Sequence, residues 1–325
     1  MLSATEGADV VVGGGLLREE AAALASLRHA ALVLPGYAPR YPNRAYPPIG
    51  LPQHRVPGLV NAAEHQLVAL RTGRLGRPYA AAFRESLGLP PTRHSPDGGR
   101  SPRPPQPQLY SRYLVPRLTE EPGRPLLGFV RPTAAHHAAW DEPGVDQDLE
   151  AWLEDGPPPV WFGFGSMAVD RCRDVLDVVR RATETLGIRA LVGVGRDDGG
   201  RLAGGVPGDQ VRVVGEIDHG AVLPACAAAV HHGGAGTTAA SVLAGLPTLV
   251  CAVAFDQPFW GERLAELEIG ASMPFTAMTE DALVERLRPL LDPAVTRRVH
   301  VVADRPRAER PLEGLVELVE DLRHP

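Results

Sequence analysis

The sequence predicts an α/β protein made of two Rossmann-like units with parallel sheets, and three observations carry that expectation. Across residues 160–273, short apolar runs alternate with amphipathic stretches of helical spacing, the pattern of a parallel sheet wrapped by helices. Within it, residues 229–250 read as strand, glycine turn, helix and next strand without a break. A smaller strand–helix–strand pattern stands at residues 8–34.

Taken in order, the first strand is Val10-Val11-Val12, followed by a glycine turn, a helix over 16–27 and a second strand over 31–34. Gly13-Gly14-Gly15 lacks the spaced-glycine fingerprint of a dinucleotide site and reads as a plain turn. Residues 35–57 are dense in proline and carry Tyr37, Tyr41 and Tyr46, which predicts an irregular surface loop. Those rings either floor a pocket for a bulky apolar ligand or pin the loop to its own domain. Leu59, Ala62, Ala63, Leu67 and Leu70 recur at helical spacing, and a second helix is expected over 79–87 after a break at Gly76-Arg77-Pro78. Residues 90–107 read as a mobile connection, short strands are expected near 109–110 and 126–130, and an interdomain linker over 134–150. His136 and His137 in that linker have no third ligand at metal-binding spacing.

The second half is more regular. Strands are expected at 160–163, 190–194, 211–214, 228–231, 248–251 and 271–273, and helices at about 170–187, 236–244 and 259–267, with terminal helices from about 279. The domains this predicts are 1–133, 134–150 as linker, and 151–325, with the last helix able to cross back.

Composition narrows the function. A chain of 325 residues suffices for two α/β domains, and a formal charge of −6 argues against a protein built mainly to grip nucleic acid. All 33 basic residues are arginine, which suggests a GC-rich genome. No apolar run approaches the roughly 20 residues that span a bilayer, and the start lacks the pattern of a secretion signal, so a cytoplasmic protein is expected. Cys172, Cys226 and Cys251 are far apart, fall in apolar segments and read as core residues.

Three segments carry chemistry. Glycines 233, 234 and 236 bare the N–H groups at a helix start, where a phosphate is favoured by the orphan donors and the helix dipole. Thr237 and Thr238 add hydroxyls, and His231 and His232 close the strand on the side where open α/β sheets bind ligands. Such a turn also occurs merely to let strand and helix pack closely. Gly165 and Ser166, after the first strand of this half, offer an N–H and a hydroxyl; Asp256 and Gln257, after strand 248–251, offer a carboxylate and an amide to sugar hydroxyls. Together they suggest a nucleotide-linked sugar.

The segments 156–167 (Gly-Pro-Pro-Pro-Val-Trp-Phe-Gly-Phe-Gly-Ser-Met), 231–238 (His-His-Gly-Gly-Ala-Gly-Thr-Thr) and 255–261 (Phe-Asp-Gln-Pro-Phe-Trp-Gly) resemble the signature of GT-B nucleotide-sugar glycosyltransferases. The resemblance is to the type that glycosylates sterols, lipids or antibiotic aglycones. It implies that His232 binds the α-phosphate, that Ser166, Gly236 and Thr237 serve the diphosphate with Gly165, Gly233 and Gly234 as further donor-binding residues, and that Asp256 and Gln257 hold the sugar. It places the base beside Val214-Gly215-Glu216-Ile217, with Ile217 where plant relatives stack a tryptophan, so uracil and thymine both stay open. The implied partners are a UDP- or dTDP-sugar and a lipophilic acceptor, with no metal or other cofactor, no membrane span, and a companion protein or homodimer as an option.

By the same resemblance the N-terminal, acceptor-binding domain is incomplete: a first strand, a loop bearing the catalytic His or Asp, and a further βα unit have no counterpart here. No residue takes the position of the family's base. His54, His65, His94 and His219 are candidates by chemistry alone, and each is expected to be a surface histidine. A non-catalytic nucleotide-sugar-binding partner and a sugar-nucleotide epimerase are the competing functions. A dehydrogenase is disfavoured by the missing glycine fingerprint.

Overall fold

The computed structural model describes residues 2–91, 103–132, 136, 139, 146–164, 172–194, 210–215 and 217–323. It is α/β throughout and packs into two units, Met1–Val130 with Glu309–Pro325, and Arg131–Ala308.

The first unit opens with β1 (Val10–Val12), α1 (Arg18–Arg28) and β2 (Ala31–Val33), the two strands parallel with Val10 opposite Ala31. Glu19 and Glu20 in the first turn of α1 and Arg28 in its last complement the helix dipole, and His29 ends it in the left-handed region. The separate strands expected near 109 and 126 reduce to isolated bridges, Gly36 to Gln108 and Gln108 to Leu126. The cause is the run Pro104-Pro105-Gln106-Pro107-Gln108, because proline brings no N–H to a ladder. Hydrogen bonding continues regardless: the Pro105 and Pro107 carbonyls accept from the Leu34 and Gly36 N–H groups on one side. On the other side the Gln106 and Gln108 N–H groups donate to the Gly123 and Pro125 carbonyls.

The expected helix break at 76–78 is also corrected, since α2 runs unbroken over Gly58–Ser86 with Pro78 inside it. Most of this helix is exposed, so water can satisfy the carbonyl that Pro78 leaves free. Tyr41 and Tyr46 are buried, each under a guanidinium, Arg124 at 4.6 Å and Arg117 at 4.1 Å from the ring centre. These rings pin the loop, and Tyr37 alone of the three stays exposed. At the far end of the chain, α10 (Pro311–Arg323) packs on β1 and β2.

In the second unit α3 (Gln147–Glu154) starts within the stretch expected to be linker, capped by Asp146, whose carboxylate accepts from the Asp148 N–H. There follow β3 (Val160–Gly163), α4 (Cys172–Leu186), β4 (Ala190–Gly193), β5 (Val211–Val214), α5 (His219–Val222), β6 (Ala228–His231) and α6 (Ala235–Ala244). The chain continues through β7 (Thr248–Ala252), α7 (Gln257–Glu266), β8 (Gly270–Pro274), α8 (Glu280–Leu287) and α9 (Pro293–Ala308). All neighbours in the six-stranded sheet are parallel, in the order β5-β4-β3-β6-β7-β8. That is the doubly wound order of a dinucleotide-type fold. Both faces of the central strands are covered: Phe162, Val192, Val230 and Leu249 meet α4 and α8. Trp161, Leu191 and Ala229 meet α3, α5 and Leu246 on the other side.

Chain direction across the sheet reverses between β3 and β6, and in such folds the crevice beyond the strand ends at that point receives the ligand. Gly163 and His231 are register partners there.

Candidate active site

The two histidines at the end of β6 are built for different tasks. His231 is fully buried, and its Nδ1 accepts the Gly233 N–H at 2.9 Å, so the neutral ring carries its proton on Nε2. Burial pushes its pKa down to about 3, with the neighbouring His232 and His219 adding to the effect. Its Nε2 is buried with no partner among the described residues. His232 lies over the turn, with Nε2 2.6 Å from where a Cβ on Gly234 would stand. Burial lowers the His232 pKa as well, while the Gly163 carbonyl and the Asp256 carboxylate act the other way.

Gly233 is held at φ +89°, a conformation that favours glycine, and a Cβ there would stand 2.4 Å from Val250 Cγ1 and 3.2 Å from the Gln257 carbonyl. The turn is thereby keyed into the β7–α7 loop. Gly236 is the opposite case: it sits in helical conformation inside α6, and its Cβ position meets nothing within 4 Å.

The start of α6 has no side-chain cap, with Gly234 in the N-cap position, whereas α3, α5 and α8 are capped by Asp146, Asp218 and Thr279. The first bond of the helix runs from the Thr238 N–H to the Gly234 carbonyl, so the N–H groups of Ala235, Gly236 and Thr237 have no acceptor within the helix. The Thr238 hydroxyl behind them is buried and has no partner among the described residues.

The β7–α7 loop completes the arrangement. Gln257 Oε1 accepts from the Val253 and Ala254 N–H groups at 2.7 and 3.1 Å, which leaves the amide NH2 end to donate elsewhere. Asp256 Oδ2 accepts from Trp260 Nε1 at 3.1 Å. Phe255, just before Asp256, is held at φ +57° with its ring exposed, a left-handed conformation in a bulky residue of the kind that collects at functional loops.

The structure therefore brings His232, Gly233, Gly234, Gly236, Thr237, Asp256 and Gln257 to one edge of the sheet, beside the Gly163 end of β3. Gly165 and Ser166 lie outside the described residues. Ile217 is partly buried against the cluster that contains Trp161. The indole of Trp161 fills the space above Gly163 and Gly193, where added Cβ atoms would stand 2.7 and 2.2 Å from it. Its other neighbour is His219, 5.6 Å away edge-to-face.

Two histidines expected at the surface are corrected. His219 is partly buried against Trp161, and burial lowers its pKa. His65 is buried, its Nε2 3.1 Å from both Asn43 Nδ2 and the Tyr46 carbonyl, because the loop folds back on α2. His54 is exposed, and His94 and His137 lie outside the described residues. Cys226 and Cys251 are buried free thiols, as core residues should be. The locking role of His231 and the indole of Trp161 had no sequence signal beyond their place on buried strands.

The first unit has its own pocket of about 510 Å³, lined by Asn43, Arg44, Ala62, Gln66 and Arg117 among others.

Comparison with known proteins identifies the family. A family model described as the erythromycin biosynthesis protein CIII-like C-terminal domain matches residues 195–322. An uncharacterized glycosyltransferase of Mycobacterium tuberculosis is 33% identical over 308 residues, covering 92% of this chain and 70% of that protein. The chain belongs to the GT-B nucleotide-sugar glycosyltransferase family. This glycosyltransferase is also 34% identical over 247 residues to the O-mycaminosyltylonolide 6-deoxyallosyltransferase of Streptomyces fradiae, covering 74% of the chain and 55% of that enzyme. Among solved structures, the glycosyltransferase VinC in complex with dTDP aligns with a TM-score of 0.65 at 20% identity, over 98% of this chain and 72% of that one, which shows the shared fold. Among the described residues no helix is long and apolar enough to cross a membrane.

Proposed function

We propose that this glycosyltransferase moves a hexose from a UDP- or dTDP-sugar to a hydroxyl of a lipophilic acceptor, inverting the anomeric carbon. The observation that carries the reading is the uncapped, glycine-opened start of α6 at the point where the sheet order reverses. In the displacement, the acceptor hydroxyl gives up its proton to a general base as its oxygen bonds to the anomeric carbon, the bond from that carbon to the diphosphate breaks, and negative charge develops on the departing oxygen. The N–H groups of Ala235, Gly236 and Thr237 and the positive end of the helix dipole meet that charge. Neutral imidazoles suit the site: His231 Nδ1 holds the turn by accepting the Gly233 N–H, and His232, lying across Gly234, is the ring that meets the α-phosphate. The Gln257 NH2 end and the Asp256 carboxylate are placed to bind sugar hydroxyls, with both side chains fixed by bonds within the loop. The pocket between the 42–45 loop, α2 and the 117–121 segment is the place for the acceptor. His65, tied to Asn43 and Tyr46, is withdrawn from the role of general base.

Titration calorimetry with UDP and dTDP tests the donor site, and mass spectrometry of mixtures with a nucleotide-sugar and a macrolide or sterol acceptor tests transfer. Flat traces with both nucleotides on folded protein would remove the reading. Binding without any transferred sugar would instead favour a non-catalytic nucleotide-sugar-binding protein.

A further inference from the structure

One corner of the six-stranded sheet holds two buried hydrogen-bond donors that the chain itself leaves unanswered. Alternate residues of a strand share a face, and β3 and β6 are in register with Trp161 opposite Ala229 and Gly163 opposite His231. Trp161 and His231 therefore project from the same face, the one covered by α3 and α5. They are 2 and 0% exposed, and neither Trp161 Nε1 nor His231 Nε2 has a partner among the described residues. The indole nitrogen stands 2.7 Å from where a Cβ on Gly163 would be, a place one strand spacing, roughly 4.8 Å, from the stem of His231. An oxygen with two hydrogen bonds of ordinary length spans nitrogens roughly 4.5–5 Å apart, so a single oxygen can serve both.

The chemistry says what that oxygen belongs to. An indole nitrogen only donates, and His231 donates from Nε2 because its Nδ1 accepts the Gly233 N–H at 2.9 Å. Two donors cannot satisfy one another, and a buried donor left unmade is costly enough that nearly all are paired with protein or with ordered water. Two further orphans belong to the same strand–turn–helix segment, His232 Nδ1 and the Thr238 hydroxyl, each able to give or take a hydrogen bond. Two donors beside two adaptable groups are the partners an internal water uses. We propose that one water molecule is held between Trp161 Nε1 and His231 Nε2 and accepts a hydrogen bond from each. Its effect reaches the glycine turn. A proton moved to Nδ1 would face the Gly233 N–H, donor against donor, so an acceptor kept at Nε2 holds the ring in the tautomer that the turn needs. Aromatic rings line the corner, His232 at 6.3 Å from His231 and His219 edge-to-face on Trp161 at 5.6 Å. The site lies inside the second unit and does not depend on the donor reading.

The first test is a high-resolution crystal structure of the whole, nucleotide-free chain, with an ordered water expected about 2.7–3.2 Å from both nitrogens. A dry corner, a protein atom in the place of the water, or a water that touches only one of the two nitrogens overturns the proposal. Heteronuclear NMR is the second test. The His231 ring should carry its proton on Nε2, and the Trp161 indole proton should show a cross-peak to a long-lived water; a proton on Nδ1 overturns the proposal. Trp161→Phe removes one donor, and His231→Asn removes the other while leaving a side-chain oxygen to accept from Gly233. With one water joining them, the unfolding constant of the double variant should exceed that of the wild type by about threefold or more less than the product of the two single effects. Strictly multiplicative effects overturn the bridge. If either variant fails to fold, the crystal structure and the spectra of the wild type decide alone.

Discussion

Replacing Gly236 by alanine separates a binding glycine from a packing glycine. The residue is helical and its Cβ would meet nothing within 4 Å, so the fold has no objection to a methyl group. Alanine in a helix is favoured over glycine by about 0.5–1 kcal/mol, and for a unit of this size that raises the melting temperature by about 1–4 °C. The methyl would project into the open space before the α6 amides. If a diphosphate approaches the backbone there, the variant loses charge-assisted hydrogen bonds worth about 1.5–3 kcal/mol each, so the UDP or dTDP dissociation constant rises by about 10- to 100-fold. Gly233→Ala is the counterpart. Its positive φ and the approach of Val250 Cγ1 to 2.4 Å predict a loss of about 2–5 kcal/mol from strain and overpacking together. Differential scanning fluorimetry and calorimetry on both variants make the measurement. A Gly236→Ala protein that melts higher yet binds nucleotide like the wild type would refute the assignment of the diphosphate to this helix start, and one that melts lower would show that the glycine serves packing.

Further expectations rest on single features of the site. The folded pKa of His231 lies near 3, below its ordinary value near 6.5, so the unfolded chain takes up the proton first as pH falls; the contribution to stability is complete above about 6.5 and is lost on the way down to about 3. Between pH 7 and 4.5 this one ring costs roughly 3 kcal/mol, His219 and His232 shift in the same direction, and urea melts at both pH values should show the loss; equal midpoints would mean that the ring is solvated. Gln257→Glu keeps an oxygen for the Val253 and Ala254 N–H groups but removes the NH2 donors, so kcat/KM should fall by about tenfold or more with melting unchanged. A fall in melting temperature alone would assign that side chain to the loop. Trp161→Phe leaves part of the space above Gly163 and Gly193 unfilled, and equilibrium unfolding should register a loss of about 1–3 kcal/mol, against no change if the indole were dispensable.

The second unit was legible because its strands are short apolar runs, three of them closed by Gly163, Gly193 and Gly215, and its longer helices repeat at their own period, so the strand boundaries fall within a few residues from β3 to β8. The Gly233–Gly236 turn was visible for the same reason: a cluster of glycines between strand and helix has few uses. The first unit was harder. Prolines at 105 and 107 hide a hydrogen-bonded segment from any strand propensity, since the bonding falls to residues between and beside them. Pro78 suggests a break that an exposed helix does not need. His65 looked like a surface residue because nothing in its neighbourhood along the chain announces that Asn43 and Tyr46, about twenty residues earlier, fold back to meet it. The two bonds of Gln257 to its own loop are invisible in sequence, where an amide beside a carboxylate reads as ligand-binding only.

The alternation of proline and glutamine at 105–108 also forbids mistakes during assembly. With the Pro105 and Pro107 carbonyls set against the Leu34 and Gly36 N–H groups, and the Gln106 and Gln108 N–H groups set against the Gly123 and Pro125 carbonyls, a slip by one position would bring imino nitrogens to places that demand an N–H and flip every side chain to the opposite side. Neighbouring alignments are thus heavily penalised, and a segment with little intrinsic strand character is steered to a single address.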